Sequence, residues 1–146
     1  MAEVRRLTPM DAATILPLIY DHAGFENGTA TCTKNRIANA LAGDTPRLIG
    51  WLATYHGKPA GYATATCDFS TWSGADFLYL DCLFVIPERR GLGIGRQLLD
   101  AVIEYGRRQD LARLEWQTPA WNQPAGRFYR RAGAVETAKL RFSLGL

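Results

Sequence analysis

The most informative stretch of the chain reads VIPERRGLGIG and runs from Val85 to Gly95. An apolar strand ends here, a turn containing Pro87 follows, and three glycines then alternate with Leu and Ile ahead of a helix. Glycine has no Cβ, so the backbone of such a loop can approach a ligand closely. A helix that begins directly after the loop offers unpaired N–H groups and the positive end of its dipole. Together these features predict a phosphate-binding site.

Two common phosphate-binding motifs do not fit this loop. A dinucleotide-binding fingerprint needs a third glycine three residues after the second, and after Gly91 and Gly93 that position holds Arg96. A Walker A loop ends in Gly-Lys followed by Ser or Thr, whereas Gly95 is followed by Arg96 and Gln97. The spacing that remains is R-x-x-G-x-G, filled by Arg90, Gly93 and Gly95.

Hydrophobic periodicity predicts strands and helices on both sides of the loop. The expected strands are 4–7, 47–55, 60–67, 76–86 and 111–118, with one or two more in 135–144. The expected helices run from Pro9 to about 22–24 with a kink or break at Pro17, over 33–42, from the loop to about Arg107, and over 122–132. Residues 68–75 read as a polar loop, and 76–86 is apolar enough to be central. The pattern predicts an α/β fold, a mixed sheet with helices on its faces.

The composition predicts one soluble globular domain over residues 1–146. Hydrophobic residues make up 47% of the chain and charged residues 21%, with a net charge of +3. No apolar run is long enough for a bilayer, and the basic residues are scattered, which argues against membrane or nucleic-acid partners. The three cysteines, Cys32, Cys67 and Cys82, form no CxxC pair, so we expect reduced thiols and a cytoplasmic location. The two histidines, His22 and His56, are far apart in the sequence, so we expect no metal site.

Two sequence blocks together resemble one known family. The segment Val85–Gly95 is similar to the acyl-CoA pyrophosphate loop of the GNAT superfamily of N-acetyltransferases. About 30 residues downstream, Trp121–Ala134 (WNQPAGRFYRRAGA) resembles the W-N-x-x-A-x-x-F-Y-x-x-x-G-A block of the same superfamily. The order of predicted elements also agrees. Phe77–Val85 (FLYLDCLFV) further resembles the L-Y-L-E-D strand of the diamine and thialysine acetyltransferase branch.

The resemblance implies the GNAT fold and a binding site for acetyl-CoA as co-substrate. In that fold two central parallel strands, here 77–86 and 111–118, splay apart to admit the pantetheine arm. The pyrophosphate is expected on the backbone N–H groups of the loop, with added charge from Arg90, and the pantetheine amides on the backbone of the strand before it. The residues so assigned are Leu83, Phe84, Val85, Arg90, Gly91, Leu92, Gly93, Ile94, Gly95 and Arg96, with Asn122 and Ala125 from the second block. Asn122 could equally cap the helix that follows.

Tyr129 and Asp81 are the expected catalytic residues. Tyr129 matches the superfamily tyrosine that donates a hydrogen bond or proton to the departing thiolate, although it could also simply pack its helix against the sheet. Asp81 matches the glutamate of the diamine branch that accepts the amine proton through water. A carboxylate in a central strand is costly unless it is paired or useful, and a hydrogen bond to a neighbouring loop is the alternative. Cys82 stands where that branch has a second acidic residue, and as a nucleophile it would imply a ping-pong mechanism.

The sequence thus predicts an acetyl-CoA-dependent N-acetyltransferase acting on a small primary amine by direct attack in a ternary complex. Trp116 and Trp121 are the tryptophans nearest the motifs and could line the acceptor pocket, whereas Trp51 and Trp72 fit the core or an interface better. The alternatives are a protein N-terminal or lysine acetyltransferase and a non-catalytic acyl-CoA-binding regulatory module. A homodimer is expected from the resemblance, through the C-terminal strands.

Overall fold

A five-stranded sheet organises the chain in the computed structural model, which describes residues 1–146. The strands are β1 (Ala2–Arg6), β2 (Ile49–Tyr55), β3 (Lys58–Ser70), β4 (Ala75–Val85) and β5 (Leu114–Glu115), and they lie in that order across the sheet. The first four pair antiparallel and β5 pairs parallel to β4, so the sheet is mixed. The predicted mixed α/β fold is therefore confirmed, with β3 in the middle of the sheet and β4 between it and β5.

The helices cover both faces of the sheet. They are α1 (Ala12–Phe25), α2 (Lys34–Leu41), α3 (Ile94–Arg108) and α4 (Gln123–Arg131), with short 3-10 turns at Pro9–Asp11 and Pro87–Arg89. On one face α3 buries Leu98, Leu99 and Val102 against β2, β3 and β4. On the other face α1 and α2 bury a second apolar cluster that contains Ile15, Leu18 and Leu41. None of the helices is both long and apolar enough to cross a membrane.

The first turn of the helical layer is fixed by one carboxylate. Asp11 accepts a hydrogen bond from the Thr8 backbone N–H at 2.7 Å and pairs with both terminal nitrogens of Arg5 at 2.9 and 2.7 Å. The Arg5 guanidinium holds the pKa of this carboxyl well below its usual range. This arrangement joins β1 to the start of α1, which then continues without interruption through Pro17. The predicted break at Pro17 is wrong, because Ile15 and Leu18 anchor the helix on either side of it.

Three sequence-based boundaries need correction. Residues 68–75 are not one long loop, because antiparallel pairing continues to Ser70↔Ala75 and leaves only a four-residue turn. The strand predicted at 111–118 is paired over Leu114–Glu115 alone. The tail predicted to hold one or two strands in 135–144 has no regular structure. Its alternation is typical of a strand, but a strand needs a partner for its backbone hydrogen bonds, and no strand of this chain pairs with it.

Candidate active site

The glycine loop leads into a helix whose first turn is left open. Gly91 and Gly93 have φ of +76° and +79°, the left-handed region that glycine adopts at least cost, and Gly93 precedes α3. Side chains of Thr33 and Asn122 cap α2 and α4, whereas no side chain caps α3. The first N–H groups of α3 therefore have no partner in the helix and none from a capping side chain. Such a terminus can bind a phosphate group.

Apolar contacts fix the position of the glycine loop. Ile94 is buried in the core, so α3 starts at a fixed place relative to β4. Gly95 faces the ring of Phe128 on α4, where an added Cβ would lie 3.6 Å from the ring. Leu92 is half exposed, and the Arg96 side chain turns away from the loop to bond Asp100 at 2.8 Å. Arg96 can therefore offer its backbone N–H to a ligand at the loop, but not its side chain.

Strands β4 and β5 diverge beside the loop. They pair only at Leu78↔Leu114 and Tyr79↔Glu115, after which β4 continues to Val85 with no neighbour on that edge. Ile86 donates to Ala60 on the opposite edge, at 2.9 Å. Since antiparallel backbone groups alternate between the two edges, those of Leu83 and Val85 face the gap, and Phe84 pairs with β3. The gap offers backbone donors and acceptors along one side, as an added extended segment requires.

The side chain of Arg90 is partly occupied within the protein. Its Nε donates to the Val85 carbonyl at 2.9 Å, and its guanidinium lies over the ring of Phe25 at 4.6 Å and that of Phe84 at 5.5 Å. This contact uses one of the polar groups that face the gap. Binding of a pyrophosphate by Arg90 stays a prediction, and it would have to use the remaining N–H groups of the guanidinium.

Asp81 lies at a β-bulge in β4. Thr64 is opposite Cys82 and Ala65 is opposite Leu80, so Asp81 is the extra residue between them. A bulge redirects the side chains near it, and Asp81 is exposed rather than buried in the sheet. The expected cost of a carboxylate inside a central strand therefore does not arise. Its one hydrogen-bond contact is with the Cys82 thiol, at 3.8 Å between sulfur and Oδ2.

Cys82 is poorly suited to act as a nucleophile. Burial, followed by the charge of Asp81, raises the pKa of its thiol to about 11. The reactive form of cysteine is the thiolate, which is scarce four pH units below the pKa. Direct attack of the amine in a ternary complex stays a prediction.

Tyr129 lies on α4, within the second sequence block, and is half-buried. Its ring centroid is 5.0 Å from that of Trp116 and 5.2 Å from that of Phe128. Burial raises the pKa of its phenol to about 12, with smaller contributions from the charges of Glu26 and Cys82. The hydroxyl is therefore protonated at neutral pH and can donate a proton or hydrogen bond, but it cannot serve as a base.

The second sequence block is also held by its own cap. Asn122 accepts from the Ala125 backbone N–H at 3.3 Å, so the capping role is confirmed. Because its N–H donates to Asn122, Ala125 has no free backbone donor to offer a cofactor. Contact of either residue with a cofactor stays a prediction.

The tryptophans divide as the sequence suggests. Trp51 is 4% exposed in the core, whereas Trp72 is 99% exposed on the β3–β4 turn. Trp116 contacts Tyr129, and Trp121 is half exposed with its ring 6.0 Å from that of Phe25 at the end of α1. Trp116 and Trp121 are thus the two that lie beside the candidate catalytic cleft.

Sequence reasoning missed a polar cluster contributed by α1. The His22 ring nitrogens lie 2.8 Å from the Tyr62 hydroxyl and 2.6 Å from the Glu26 carboxylate, and the ring stacks on Phe84. The two histidines enter the sequence-based prediction only as possible metal ligands. The spacing of four residues puts His22 and Glu26 on one face of a helix, and this spacing could have predicted their contact. Nothing in the sequence indicates the contact with Tyr62.

Comparison with known proteins shows which family the chain is similar to. The model of the acetyltransferase (GNAT) family matches residues 18–134. Thialysine N-epsilon-acetyltransferase of Caenorhabditis elegans is 27% identical over 139 residues, covering 94% of this chain and 85% of that protein. The protein of the same name from Sus scrofa is 32% identical over 141 residues, covering 90% and 82%.

Solved structures share the fold at lower identity. An aminoglycoside acetyltransferase from an uncultured soil metagenomic sample, in complex with sisomicin, has a TM-score of 0.84 at 20% identity and covers 99% of this chain and 96% of its own. An aminoglycoside N-acetyltransferase in complex with CoA has a TM-score of 0.82 at 19% identity, with 99% and 95% covered. Because the family model spans most of its length and a relative above 30% identity spans most of both proteins, the chain belongs to the acetyltransferase (GNAT) family and is an N-acetyltransferase.

Proposed function

We propose that this protein transfers the acetyl group of acetyl-CoA to a primary amine of a small molecule, by direct attack in a ternary complex. The observation that carries the proposal is the gap between β4 and β5, which opens beside the uncapped start of α3, where Val85 lies 3.9 Å from the Cβ position of Gly95. Tyr129 packs on Trp116, which follows β5 in the chain. A relative that matches most of the chain is named for an amine acceptor, thialysine, and structural neighbours are named for aminoglycosides.

The residues present fit acetyl-CoA. Gly91 and Gly93 have no atom within 4 Å of where a Cβ would stand, so ligand atoms can approach the loop backbone there. The backbone N–H groups at the start of α3 would hold the pyrophosphate. The backbone groups of Leu83 and the backbone N–H of Val85 would hold the pantetheine amides as an added strand, since the Val85 carbonyl already accepts from Arg90. With the arm held in this way, the thioester would reach toward the middle of β4, where Asp81 interrupts the pairing with β3.

The chemical step balances with two residues of this chain. The amine nitrogen attacks the thioester carbonyl carbon, a new C–N bond forms and the C–S bond breaks. The nitrogen gives up a proton, which Asp81 accepts directly or through water. The departing sulfur carries the electron pair of the broken bond, and the Tyr129 hydroxyl donates to it. Since burial raises the Tyr129 pKa to about 12, the phenol is in its donating form at neutral pH.

The proposal is tested by release of the free thiol of CoA from acetyl-CoA in the presence of small amines, aminoglycosides and peptides. Mass detection of an acetylated product identifies the acceptor class. Acetylation of peptides alone would instead indicate a protein N-terminal or lysine acetyltransferase. CoA binding with no thiol release for any amine would indicate a non-catalytic acyl-CoA-binding module.

We also propose that the protein acts as a homodimer in a reducing compartment such as the cytoplasm. The tail after α4 exposes apolar side chains that alternate with polar ones, and no other part of the chain covers them: Val135, Leu140, Phe142, Leu144, Leu146. A second copy of the chain could pair with this tail and bury those side chains. All three cysteines are unpaired, in keeping with reduced thiols. Light scattering on the full chain and on a chain ending at residue 134 tests the dimer, because only the longer chain should have the mass of two copies.

A further inference from the structure

A cavity outside the catalytic cleft lies between the edge strand β1 and the helix α3. Its volume is about 240 Å³. Val4 and Arg6 line it from β1, Trp51 lines it from β2, and Ala101 and Tyr105 line it from the second half of α3. No residue of the glycine loop, of β4 or of α4 contributes to its walls. The cavity is therefore separate from the site proposed for acetyl-CoA and the amine.

The guanidinium of Arg6 is held in this cavity by two aromatic rings. Arg6 and Trp51 are opposite each other in the pairing of β1 with β2, so their side chains share one face of the sheet. The guanidinium carbon lies 5.6 Å from the centre of the Trp51 ring and 5.0 Å from that of Tyr105, and the two rings pack edge to face. Trp51 is buried, so the stack is anchored in the core. An arginine stacked in this way keeps the N–H groups along its edge available to a ligand.

Arg6 is the one cation of the cavity that no carboxylate neutralises. Two further arginines line the cavity, and each has a partner: Arg5 pairs with Asp11, and Arg108 pairs with Glu104 at 2.8 Å between Nε and Oε1. Apart from the strand pairing, Arg6 takes part in one hydrogen bond, and this bond uses its carbonyl oxygen rather than its guanidinium. One positive charge is thus left over, which favours an anionic ligand group.

The remaining lining sets the size and the shape of such a ligand. Val4 and Ala101 add apolar surface to the cavity, and Tyr105 adds an aromatic ring. Pockets for drug-sized ligands begin at about 300 Å³, so this cavity fits only a smaller molecule. The planar N–H groups of a guanidinium match the two oxygens of a carboxylate. The lining therefore suits a small organic carboxylate with a short apolar body.

We propose that the cavity between β1 and α3 is a second binding site, which takes a small organic carboxylate through Arg6. The carboxylate binds the free N–H groups of the guanidinium, and the apolar body of the ligand lies against Val4 and Ala101. The site goes beyond the proposed function and does not depend on it, because no residue of the catalytic cleft takes part.

The test is a titration of the full chain with benzoate, followed by the amide resonances in NMR spectra. Benzoate has nine non-hydrogen atoms, which allows a dissociation constant of about 1 mM. Binding should shift the resonances of β1 and of the second half of α3. Benzamide has the same shape without the charge, and acetate has the charge without the ring, so each should bind about tenfold more weakly or less. Absence of benzoate binding, or equal binding of benzamide, would overturn the proposal.

A control with CoA tells this site from the glycine loop, because the uncapped start of α3 can also attract a carboxylate. In the presence of saturating CoA, benzoate should still shift the β1 resonances with an unchanged dissociation constant. Competition by CoA, or shifts confined to residues 91–96, would place the carboxylate at the loop and overturn the proposed site.

Two variants test the charge and the space separately. Arg6→Met keeps a long apolar chain against the rings and removes the charge, and it should weaken benzoate binding by about tenfold or more. Arg107→Met removes an exposed arginine of α3 that does not line this cavity, and it should bind benzoate like the parent. Ala101→Leu fills the cavity, leaves Arg6 in place and should also lose the binding.

Melting temperatures identify any variant that does not fold. If Arg6→Met is unfolded, Ala101→Leu decides, and the reverse also holds. Parental affinity for benzoate in a folded Arg6→Met or Ala101→Leu variant would show that the ligand lies elsewhere.

Discussion

The two sides of the cleft are built by different means. On the proposed cofactor side the groups available for binding belong to the backbone, in the glycine loop, the uncapped start of α3 and the unpaired edge of β4. On the proposed acceptor side they belong to side chains, those of Asp81 at the bulge in β4 and of Tyr129 on α4. A backbone site leaves a fixed spacing of glycines in the sequence, whereas a side-chain site leaves no pattern that can be recognised without the fold.

This difference predicts how variants on each side behave. A change on the cofactor side should alter binding of CoA to the same extent whichever amine is offered. A change on the acceptor side should alter the ranking of amines and leave CoA affinity alone. Variants whose effects cross this division would show that the two sides act as one unit.

The largest effect is expected for Gly93→Val on the cofactor side. The branched side chain would stand where the pyrophosphate approaches, and CoA binding should be lost in calorimetry. Valine is also strained at a φ of +79°, by on the order of 1–3 kcal/mol. Gly74→Val, at a φ of +64° on the β3–β4 turn with no atom near its Cβ, carries similar strain away from the loop. Unchanged CoA affinity in a folded Gly93→Val variant would contradict the assigned phosphate site.

Tyr129→Phe should give the next largest effect. It removes only the hydroxyl and keeps the ring packed on Trp116. Turnover should fall by roughly 10²-fold, the usual scale for a positioned acid, with a much smaller change in the KM for acetyl-CoA and a nearly unchanged melting temperature. Tyr105→Phe, whose ring packs on Trp51 in the core, is the matched control and should keep parental turnover. Parental turnover in Tyr129→Phe itself would mean that the thiolate leaves without its help.

Asp81→Asn should lower turnover at neutral pH by less than the roughly 10²-fold usual at the low end for loss of a general base, because water can still accept the amine proton. The rate should partly recover at high pH, because a lysine-like amine with a pKa near ~10.4 is then largely free base. The variant should also lower the pKa of the Cys82 thiol from about 11, since the Asp81 charge helps to raise it. Alkylation rates against pH measure that shift without relying on turnover.

Asp76→Asn, near the start of the same strand, is the control for Asp81→Asn and should match the parent in turnover and in the pKa of the Cys82 thiol. The alkylation assay has to follow Cys82 alone, because the charge of Asp76 helps to raise the pKa of the exposed Cys67 thiol. If the pH–rate profile of Asp81→Asn coincides with that of the parent while the thiol pKa falls, Asp81 influences the site electrostatically but does not accept the proton.

Much of the fold could be predicted because its signals are local. The amphipathic pattern of α3 and the cap at Asn122 each depend on neighbouring residues, and the structure has both in the expected place. The pairing of 135–144 could not be predicted, because alternation does not say whether a partner strand exists. The His22–Tyr62 contact joins residues 40 apart, and only the packing of α1 on β3 brings them together. The turning of the Arg90 side chain toward Phe25 likewise depends on where α1 ends.

The smallest effect is expected at Asn122, where a structural role and a cofactor role coincide. Asn122→Ala removes the cap of α4 and should cost about 1 kcal/mol of unfolding free energy. For a domain of this size that lowers the melting temperature by roughly 2–4 °C. If Asn122 also contacts the CoA arm, the KM for acetyl-CoA should rise a few fold.

Thr33→Ala separates these two roles of Asn122. The Thr33 side chain caps α2 by accepting from the Arg36 N–H at 3.2 Å, so its loss should lower the melting temperature by a similar amount and leave the KM for acetyl-CoA unchanged. Asn122→Ser retains a capping oxygen and should restore most of the stability, while its shorter side chain cannot reach as far toward a ligand. A KM that stays raised in Asn122→Ser would assign the contact to the asparagine itself. A KM that is parental in both Asn122 variants would mean that this residue serves only to start α4.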